Sequence, residues 1–375
     1  MTDRQELISR IRLINTENIG PVTFYRLLAK YKTAGKALEN LPPASRPFPE
    51  DAARREIKLA ENKGIAILNF DDPAYPENLK HINDAPPLLY VLGNPEILSH
   101  QLSVSVVGAR NASVNGRKLA SRLAYELTNN NVLIISGMAR GIDSAAHKGA
   151  MFAQNKQGPT VAVLGSGVDV IYPAENEELY RQIAAQGAVI SEFPLGAKPQ
   201  VNKFPRRNRI VSALSDGTLV VEANLNSGSL ITARMALEQG REVFAVPGSP
   251  LDGRSAGTNK LIKDGAVLVE TAEDILNGLN LSSARQIKPF AIPHNPDLFD
   301  IPLDKVQNNA DIPKQNKCEE ASSIIEFLDY DGVYVDEIIR TSGLSPAEVS
   351  MQILELEMDN RIERQPGNKV ALIKR

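Results

Sequence analysis

A short apolar run that ends in a loop of small residues and leads into a helix-forming stretch recurs between residues 103 and 270. The successive runs read SVSVVGAR, NVLIISGMARG, TVAVLGSG, AVISEF, GTLVVEAN and EVFAVPG. Uninterrupted Val, Ile, Leu and Ala residues that alternate with helical stretches are typical of a parallel sheet covered on both faces. The sequence therefore predicts an α/β fold on a doubly wound, mostly parallel sheet, with one further strand at GIAILNF, Gly64 to Phe70.

The loops after these runs form the predicted functional region. In an open parallel sheet, ligands bind in the crevice beyond the carboxyl ends of the strands. The loops are therefore expected to share one edge of the sheet. Their chemistry should indicate which ligand the crevice accepts.

Positive charge is concentrated in this part of the chain. The segment KPQVNKFPRRNR, Lys198 to Arg209, contains five basic residues and no acidic one. Residues 103 to 270 contain 18 Lys and Arg against 14 Asp and Glu, a formal charge of +4, whereas the whole chain carries −3. A local excess of one sign on a loop-rich face indicates an anionic ligand, and the nearly neutral total argues against indiscriminate binding to polyanions.

Length and composition bound the class of protein. A chain of 375 residues, 42% hydrophobic and 23% charged, has room for two or three domains. No apolar stretch approaches the ~18 residues of a membrane span, and the start, MTDRQELISR, carries charges where a signal peptide has an apolar centre. We therefore expect a cytoplasmic protein without membrane contact. Cys318 is the only cysteine, which excludes an intrachain disulfide and a multi-cysteine metal site.

Changes in composition divide the chain into predicted parts. These are a helical, SAM-like domain at 1–50, a core at 60–280, a flexible linker at 281–317 and a winged-helix domain at 318–375. The linker contains five prolines and no sustained apolar period. In the first part, a helix that stops at Gly20 and restarts at Pro21 resembles a helix-hairpin-helix or SAM-like unit, whose NH groups often bind a DNA phosphate. A tight turn in a small helical bundle explains the same pattern.

The C-terminal segment has the pattern of a small winged helix. A helix is predicted from Val335 to Ser342, SGLSPAEV supplies a turn with an N-cap at Ser345, and RIERQPGNKVALI predicts a hairpin. A winged helix often recognises DNA through its third helix. Here that helix carries the acidic residues Glu348, Glu355, Glu357 and Asp359. Because an acidic face repels phosphate, the pattern favours a protein contact over direct DNA binding.

Two of the small-residue loops are predicted to bind phosphate. In GARNASVNG, Gly108 allows a sharp turn and the Arg110 guanidinium can donate two NH bonds to one phosphate. In the alternative interpretation, Arg110 ties down a neighbouring loop through a carboxylate. In ISGMARGIDSAAHKGA, Ser136 and Gly137 begin an expected anion-binding nest before a helix.

A third loop, NSGSLITARM, follows the run LVVEA and places Ser227 and Gly228 at the start of a helix. We predict a phosphate-binding helix N-terminus there, with a simple N-cap at Ser229 as the alternative. Two nucleotide fingerprints are incomplete: GSGVDV lacks its third glycine, and GSPLDGRS has Arg254 where a phosphate loop requires lysine.

Asp143 and His147 lie four residues apart on a predicted helix and are expected to be close to each other. An oriented Asp-His pair is typical of a general base. No nucleophile or metal partner accompanies this pair in the sequence, and the four histidines are dispersed. A structural role is therefore favoured, and we expect no catalytic residue, no metal and no cofactor.

The block FPRRNRIVSAL is the strongest single motif. Four cationic groups beside Phe204 combine phosphate neutralisation with a ring on which a base can stack, which is typical of single-stranded nucleic acid binding. The predicted DNA-binding residues in and before this block are Lys198, Lys203, Phe204, Arg206, Arg207, Asn208 and Arg209. In the alternative, Phe204-Pro205 is a buried strand edge and Asn208 and Arg209 are loop struts. Which arginines contact DNA stays open.

Motifs along the core resemble, in order, those of the DNA-processing protein A family, also called Smf. They are SVVGARNASVNG, ISGMARGIDSAAHKGA, TVAVLGSGVDVIYPAEN, ISEFPLG, FPRRNRIVSALSD, VVEANLNSGSLITARMALEQGREVFAVPG and GTNKLIKDGA. The resemblance covers about residues 65–275, and the flanking segments match more loosely. It implies an extended Rossmann-like fold without established catalytic activity. Its members bind single-stranded DNA, form dimers and load the RecA recombinase onto incoming DNA during natural transformation.

The resemblance also implies a DNA pocket at Arg110, Lys203, Phe204 and the RRNR positions. In the loop after YP, Ala174 stands where some members have a lysine. Residues and resemblance together predict a non-enzymatic, cytoplasmic, homodimeric single-stranded DNA-binding protein that protects incoming DNA and hands it to RecA. A nucleotide-hydrolysing enzyme of the lysine-decarboxylase-like Rossmann group, with Glu222 or Asp143 as acid or base, is the alternative.

Overall fold

The computed structural model of the chain consists of two compact units, Met1–Lys288 and Pro289–Arg375. The structure describes residues 3–43, 45–99, 102–153 and 160–284, together with parts of the C-terminal region. Those parts are 327–328, 332–342, 344, 349, 352–353, 356–357, 361–365 and 369–373. The predicted linker lies outside the described residues from residue 285 onward.

A nine-stranded sheet is the centre of the first unit. Its strands are β1 (Ile65–Asn69), β2 (Leu88–Gly93), β3 (Ser103–Val107), β4 (Leu133–Ser136), β5 (Thr160–Val163), β6 (Ala188–Ser191), β7 (Gly217–Val220), β8 (Glu242–Ala245) and β9 (Val267–Leu268). Their spatial order is β1-β2-β6-β5-β4-β3-β7-β8-β9. In this sheet β2 runs antiparallel to both of its neighbours, β1 and β6, and every other pair of neighbouring strands is parallel. The prediction of a doubly wound, mostly parallel sheet is confirmed, including the strand within 64–70.

Helices cover both faces of the sheet. They are α1 (Asp3–Ile14), α2 (Pro21–Tyr31), α3 (Ala34–Glu39), α4 (Glu50–Asn62), α5 (Glu77–Lys80), α6 (Val114–Asn129), α7 (Ile142–Met151), α8 (Glu177–Gln186), α9 (Lys203–Leu214), α10 (Gly228–Glu238), α11 (Ala256–Lys263) and α12 (Ala272–Ala284). Along β4, Leu133 and Ile135 pack into one apolar cluster and Ile134 into another. Because strand side chains alternate between faces, a fully apolar strand fills two cores.

The four N-terminal helices belong to the same compact unit as the sheet. Helix α2 begins at Pro21, and Gly20 precedes it as an extended N-cap. Helices α1 and α4 share a buried cluster with Leu88 of β2, and the Tyr90 hydroxyl of β2 donates to the Glu56 carboxylate at 2.6 Å. The boundaries at 1–50 and 60–280 stay predictions, as do 281–317 and 318–375.

The second unit contains the elements expected of a winged helix. Helix α13 (Val335–Ser342) has the predicted bounds, and β10 (Val333–Tyr334), β12 (Lys369–Leu372) and β11 (Ile362–Gln365) form a small antiparallel sheet in that order. Leu328, Ile338, Ile353 and Val370 belong to its apolar core. The hairpin turn at 366–368, the N-cap at Ser345 and three of the four acidic residues, Glu348, Glu355 and Asp359, lie outside the described residues.

The block FPRRNRIVSAL is not a loop or a strand edge. It forms most of α9, whose first turn carries Lys203, Phe204 and Pro205. Proline is tolerated in the first turn because its missing NH has no helical partner there. The cations of the block therefore follow helical spacing and point to different sides of the helix.

Candidate nucleic-acid interface

The N-terminus of α9 lies at the carboxyl edge of the sheet, beside the loop that follows β3. The guanidinium carbon of Arg110 lies 5.3 Å from the centre of the Phe204 ring. On the loop after β5, the Tyr172 ring lies 5.8 Å from Phe204, with 36° between the ring planes. Arg110 is exposed and Tyr172 is partly exposed. Two loops and the first turn of α9 thus bring a cation and two aromatic rings together.

Two further cationic side chains of α9 lie over a second aromatic ring, that of Phe193. The Lys203 ammonium lies 5.2 Å and the Arg206 guanidinium carbon 5.3 Å from the centre of the Phe193 ring. Partial burial and the neighbouring Arg206 lower the pKa of Lys203. The Lys203 ammonium also donates to the backbone oxygen of the exposed Lys198 at 2.8 Å.

A shallow pocket connects the Phe204 ring with the loops after β4 and β5. Arg110, Gly137, Arg140, Gly165, Tyr172, Phe204 and Arg207 are among its lining residues. A Cβ atom on Gly165 would lie 3.1 Å from the Phe204 ring. Because Gly165 has no side chain, the ring can pack closely against the backbone at this position. Sequence reasoning missed Arg140 and Tyr172. A signal was present, because both lie in loops that follow predicted strands.

Arg207 also lines this pocket, but most of its side chain lies inside the protein. Its side chain is buried, and its Nη1 donates to the Val163 carbonyl of β5 at 2.6 Å. Burial lowers the pKa of Arg207 to about 10, against the opposing effect of the Asp143 carboxylate. The guanidinium occupies the space where a Cβ on Gly137 would lie. These contacts give Arg207 a structural role and argue against the expected DNA contact, which stays a prediction.

Arg209 is a strut as well. Its guanidinium contacts the Glu192 carboxylate at 2.6 Å and the Asp84 carboxylate at 3.1 Å. Both Arg209 and the Glu192 side chain are buried, whereas the Arg206 side chain, 3.5 Å from Glu192, remains 55% exposed. Burial raises the pKa of Glu192 despite the two arginines. Among the arginines of the block, Arg206 is the one placed to reach a ligand.

The expected nest at Ser136 and Gly137 is engaged within the protein. The buried Ser136 hydroxyl donates to the Val106 carbonyl at 2.6 Å. The Gly137 NH donates to the Asp143 carboxylate at 3.2 Å, and the Ala139 NH donates to it at 3.3 Å. Both groups therefore already have partners inside the protein, which argues against the predicted phosphate contacts of Ser136 and Gly137. Asp143 takes the place that an external anion was expected to fill.

Backbone conformation holds this loop against Arg110. Met138 has φ 61° and Gly141 has φ 80°, values rarely adopted by side chains with a Cβ. A Cβ on Gly141 would collide with the Arg110 carbonyl oxygen. The Asn176 amide donates to the Met138 carbonyl at 2.8 Å. Strained loops of this kind are found preferentially at functional sites.

Asp143 and His147 do not form the expected pair, since each bonds to other partners. The His147 Nδ1 lies 2.7 Å from the Thr160 hydroxyl, which itself donates to the Ile134 carbonyl. Nδ1 therefore carries the proton. Burial, with a contribution from Arg207, lowers the pKa of His147 to about 3, and burial raises that of Asp143. A neutral, buried histidine of this kind supports the structural role that the sequence favoured.

The remaining predicted residues lie around the same edge of the sheet. The Ser227 hydroxyl caps α10 by accepting from the Ser229 NH at 3.4 Å, so Ser227, and not Ser229, is the N-cap. Gly228 is exposed in the first turn of α10. Asn208 is half-buried, and its carbonyl accepts from the Ser212 hydroxyl at 3.2 Å. The structure shows no contact of Ser227 or Gly228 with the Phe204 ring among the described residues.

The carboxylates of the alternative enzyme interpretation are committed to the fold. Glu222 accepts from the Ser113 NH at 2.8 Å and from the Ser113 hydroxyl, which in turn caps α6. Asp143 is occupied by the backbone NH groups of its loop. Within the described residues, no group of three His, Cys, Asp or Glu side chains is arranged to hold a metal ion. None of the described helices is long and apolar enough to cross a membrane.

Fold and site together define a Rossmann-like protein with a basic, aromatic surface at the carboxyl edge of its sheet. Residues 66–280 match the family model of DNA recombination-mediator protein A. The DprA-like N-terminal HHH domain matches residues 4–63, and the DprA winged helix domain matches residues 310–368. The chain belongs to the DNA recombination-mediator protein A family, the one whose motifs its core resembles.

Individual relatives agree with this assignment. Protein Smf of Escherichia coli is 39% identical over 330 residues, which cover 87% of this chain and 82% of the relative. DNA processing protein DprA of Streptococcus pneumoniae is 46% identical over 229 residues, or 61% of this chain and 78% of the relative.

Two solved structures are similar as well. DNA processing protein A from Streptococcus pneumoniae aligns with a TM-score of 0.57 and 36% identity, covering 72% of this chain and 86% of the other. A structure of DNA processing protein A from Helicobacter pylori, which concerns its single-stranded DNA binding mode, aligns with a TM-score of 0.52 and 30% identity. It covers 58% of this chain and 96% of the other.

Proposed function

We propose that this chain binds single-stranded DNA at the carboxyl edge of its sheet, without catalysing a reaction. The observation that carries the proposal is the group formed by the exposed Arg110 and Tyr172 from two loops and the half-buried Phe204 from the first turn of α9. An unpaired base stacks on an aromatic ring, and a guanidinium beside the ring binds the adjoining phosphate. The relative from Helicobacter pylori, named for its single-stranded DNA binding mode, supports the same assignment.

Three cations would neutralise the DNA backbone. Arg110 lies on one side of the Phe204 ring, and Lys203 and Arg206 lie over Phe193. Arg207 and Arg209 are buried, so they hold α9 in place and leave phosphate contact to the exposed cations. With a slope of about −0.7 per phosphate for single strands, three contacts give a fall in log K of about 2 per tenfold rise in salt.

The wider role in the proposal is that of a recombination mediator. We propose that the protein acts in the cytoplasm as a homodimer, protects incoming single-stranded DNA and loads RecA onto it. Membership of the DNA recombination-mediator protein A family supports this role, and so do the DNA processing proteins among the relatives. The test is to measure RecA filament formation on single-stranded DNA that is coated with a single-strand-binding protein. The reaction is compared in the presence and in the absence of the chain described above.

Substitution of Phe204 tests the binding site directly. Phe204→Ala should weaken single-stranded DNA binding by about 1 to 3 kcal/mol, the range for loss of one stacked base, and Arg110→Ala should have a similar effect. Fluorescence anisotropy with a short oligo-dT measures both. Duplex DNA should bind more weakly than the single strand, because its bases are already paired.

Arg234→Ala is the matched control, because it removes one exposed positive charge from a pair with Glu238 on α10. It should leave the affinity close to wild type. If Phe204→Ala and Arg110→Ala bind like this control while retaining their thermal midpoints, the proposed site is wrong.

A further inference from the structure

A second basic surface lies on one face of the sheet, between α6 and α7. This surface, the α6–α7 groove, encloses about 640 Å³. Its lining residues are Val114, Arg117, Lys118, Ser121, Arg122, Tyr125, Ser144, Ala145, Lys148, Gly149 and Phe152. The proposed DNA site does not include this groove, although two sequence motifs, GARNASVNG and ISGMARGIDSAAHKGA, contribute residues to its lining.

The close approach of the two helices shapes the floor of the α6–α7 groove. A Cβ on Gly149 would collide with the Ser121 carbonyl oxygen, so the backbones of α6 and α7 meet at this point. Longer side chains on either side form the walls. The groove is therefore a built feature of the helix packing.

The charges of the groove all have one sign. Arg117, Lys118, Arg122 and Lys148 line it, and none of its described lining residues is acidic. Arg122 has an exposed partner in Glu126 at 3.5 Å, and Arg117 donates to the Ala112 carbonyl. Lys118 and Lys148 are exposed. This charge pattern is complementary to an anionic chain.

Aromatic side chains accompany the cations. Phe152 is 77% exposed and Tyr125 is 36% exposed. A ligand that covers these rings gains the free energy of removing their apolar surface from water. Exposed rings interleaved with cations are the features with which proteins bind single-stranded nucleic acid without sequence preference.

The two helices of the groove follow directly on the loops that form the interface at Phe204. Val114 begins α6 four residues after Arg110. On the other wall, the Ser144 hydroxyl donates to the Gly141 carbonyl at 3.1 Å, and Gly141 packs against the Arg110 carbonyl. The loops after β3 and β4, which contribute residues to the Phe204 pocket, therefore lead directly into α6 and α7, whose residues line the groove.

We infer that the α6–α7 groove is the second segment of a single-stranded DNA track that begins at Arg110 and Phe204. The inference rests on the proposed function. From Val114 to Tyr125 the helix rises about 16 Å at 1.5 Å per residue, enough for about five nucleotides at the 3.4 Å spacing of a stacked strand. A short oligonucleotide fills only the Phe204 pocket, whereas a longer one also reaches Lys118, Lys148 and Phe152.

Two oligonucleotide lengths separate the two segments. Anisotropy titrations use oligo-dT of about 6 and about 15 nucleotides with the full-length wild type and the double variant Lys118→Ala/Lys148→Ala. The variant should bind the long oligonucleotide about tenfold more weakly and reduce the salt slope of log K by about 1.4, from two lost phosphate contacts. Its affinity for the short oligonucleotide should equal that of wild type.

Matched variants control for charge and folding. Arg181→Ala/Arg234→Ala removes two exposed positive charges elsewhere and should bind both lengths as wild type does. Lys118→Arg/Lys148→Arg should restore the long-oligonucleotide affinity. Phe152→Ala should weaken only the long complex, and a photoreactive thymine in the distal half of the long oligonucleotide should cross-link to a peptide from α6 or from 142–153.

Each other result overturns the inference. Equal affinity of wild type and double variant for the long oligonucleotide would show that DNA does not use the groove. A change of oligomeric state in sedimentation with DNA binding intact would assign the groove to a second copy of the chain, and binding of an acidic peptide in place of DNA would assign it to a protein partner. Failure of Phe204→Ala to affect the short oligonucleotide would instead overturn the proposed function, so the two failures are distinguishable.

Discussion

The inward and outward faces of α9 carry the same residue type and use it in opposite ways. On the inward face, Arg207 and Arg209 are buried, one on the Val163 carbonyl and the other between two carboxylates. On the outward face, Arg206 is exposed over Phe193. Adjacent arginines in one basic motif therefore divide between holding the site together and forming its surface.

This difference indicates how a basic surface is kept rigid. A buried arginine costs desolvation, so it persists only where carbonyls and carboxylates meet its NH groups. The inward arginines fasten α9 to β5 and to the residues around Glu192, and that anchoring sets the position of Phe204. Substitutions on the two faces should therefore separate stability from DNA affinity.

The largest effect is expected for Arg207→Ala. Truncation leaves the Val163 carbonyl and the Asp143 carboxyl group buried without this partner, which should cost about 3 to 5 kcal/mol of the free energy of unfolding. Urea unfolding measures the loss, with Arg206→Ala as the control on the outward face. Wild-type stability combined with lost DNA binding in Arg207→Ala would contradict the division between the faces.

A glycine pair tests the space around the same guanidinium. Gly137→Ala places a Cβ into Arg207 and should cost about 1 to 3 kcal/mol of stability through overpacking. Gly228→Ala places its Cβ in open space and should leave the thermal midpoint nearly unchanged. Equal thermal midpoints of the two variants would show that the Arg207 side chain can shift to accommodate the added methyl group.

The buried histidine behind this face predicts a pH dependence of stability. In the folded protein the pKa of His147 is lowered from 6.5 to about 3. Below pH 6.5, His147 is therefore protonated in the unfolded chain and remains neutral in the folded protein. Stability from this group is present above pH 6.5 and falls by about 1 kcal/mol between pH 6.5 and pH 5.5, with a slope that approaches about 1.4 kcal/mol per pH unit at lower pH. His147→Gln should remove this part of the slope in urea titrations, and an unchanged slope would contradict the assignment.

The smallest effect is expected for Arg206→Ala. This outward residue already shares Glu192 with Arg209, at 3.5 Å, so the loss in single-stranded DNA binding should be about 1 kcal/mol, with a salt slope reduced by about 0.7. Stability should remain that of wild type. A loss of stability comparable with that of Arg207→Ala would erase the distinction between the faces.

Much of the sheet was predictable, because a strand buried on both faces must be apolar throughout and that pattern is local. The core strands appeared where the runs placed them, and α13 has its predicted bounds. The functional edge followed from the small-residue loops and the basic block. Arg140 and Tyr172 both line the pocket. The sequence does not single them out, because neither lies next to other basic or aromatic residues along the chain.

The roles of individual residues were harder to predict from the sequence. Ser136 and Gly137 had the sequence of an anion nest, yet an internal carboxylate, Asp143, takes the NH groups. Helical spacing alone suggested that Asp143 and His147 would meet, but Asp143 accepts from NH groups of the loop after β4 and His147 bonds to Thr160 of β5. Local spacing places two side chains on one helix face without specifying which neighbours surround them.

The sequence by itself determined the alternation of strands and helices, the edge at which the loops meet and the positive charge of that edge. Only the tertiary structure decided which cations face outward. Successive residues of a helix are about 100° apart, so Arg206 and Arg207 must point in different directions, and packing against β5 selects which of them is buried. The physical reason is that helix periodicity is a local property, whereas the position of solvent depends on every element packed around the helix.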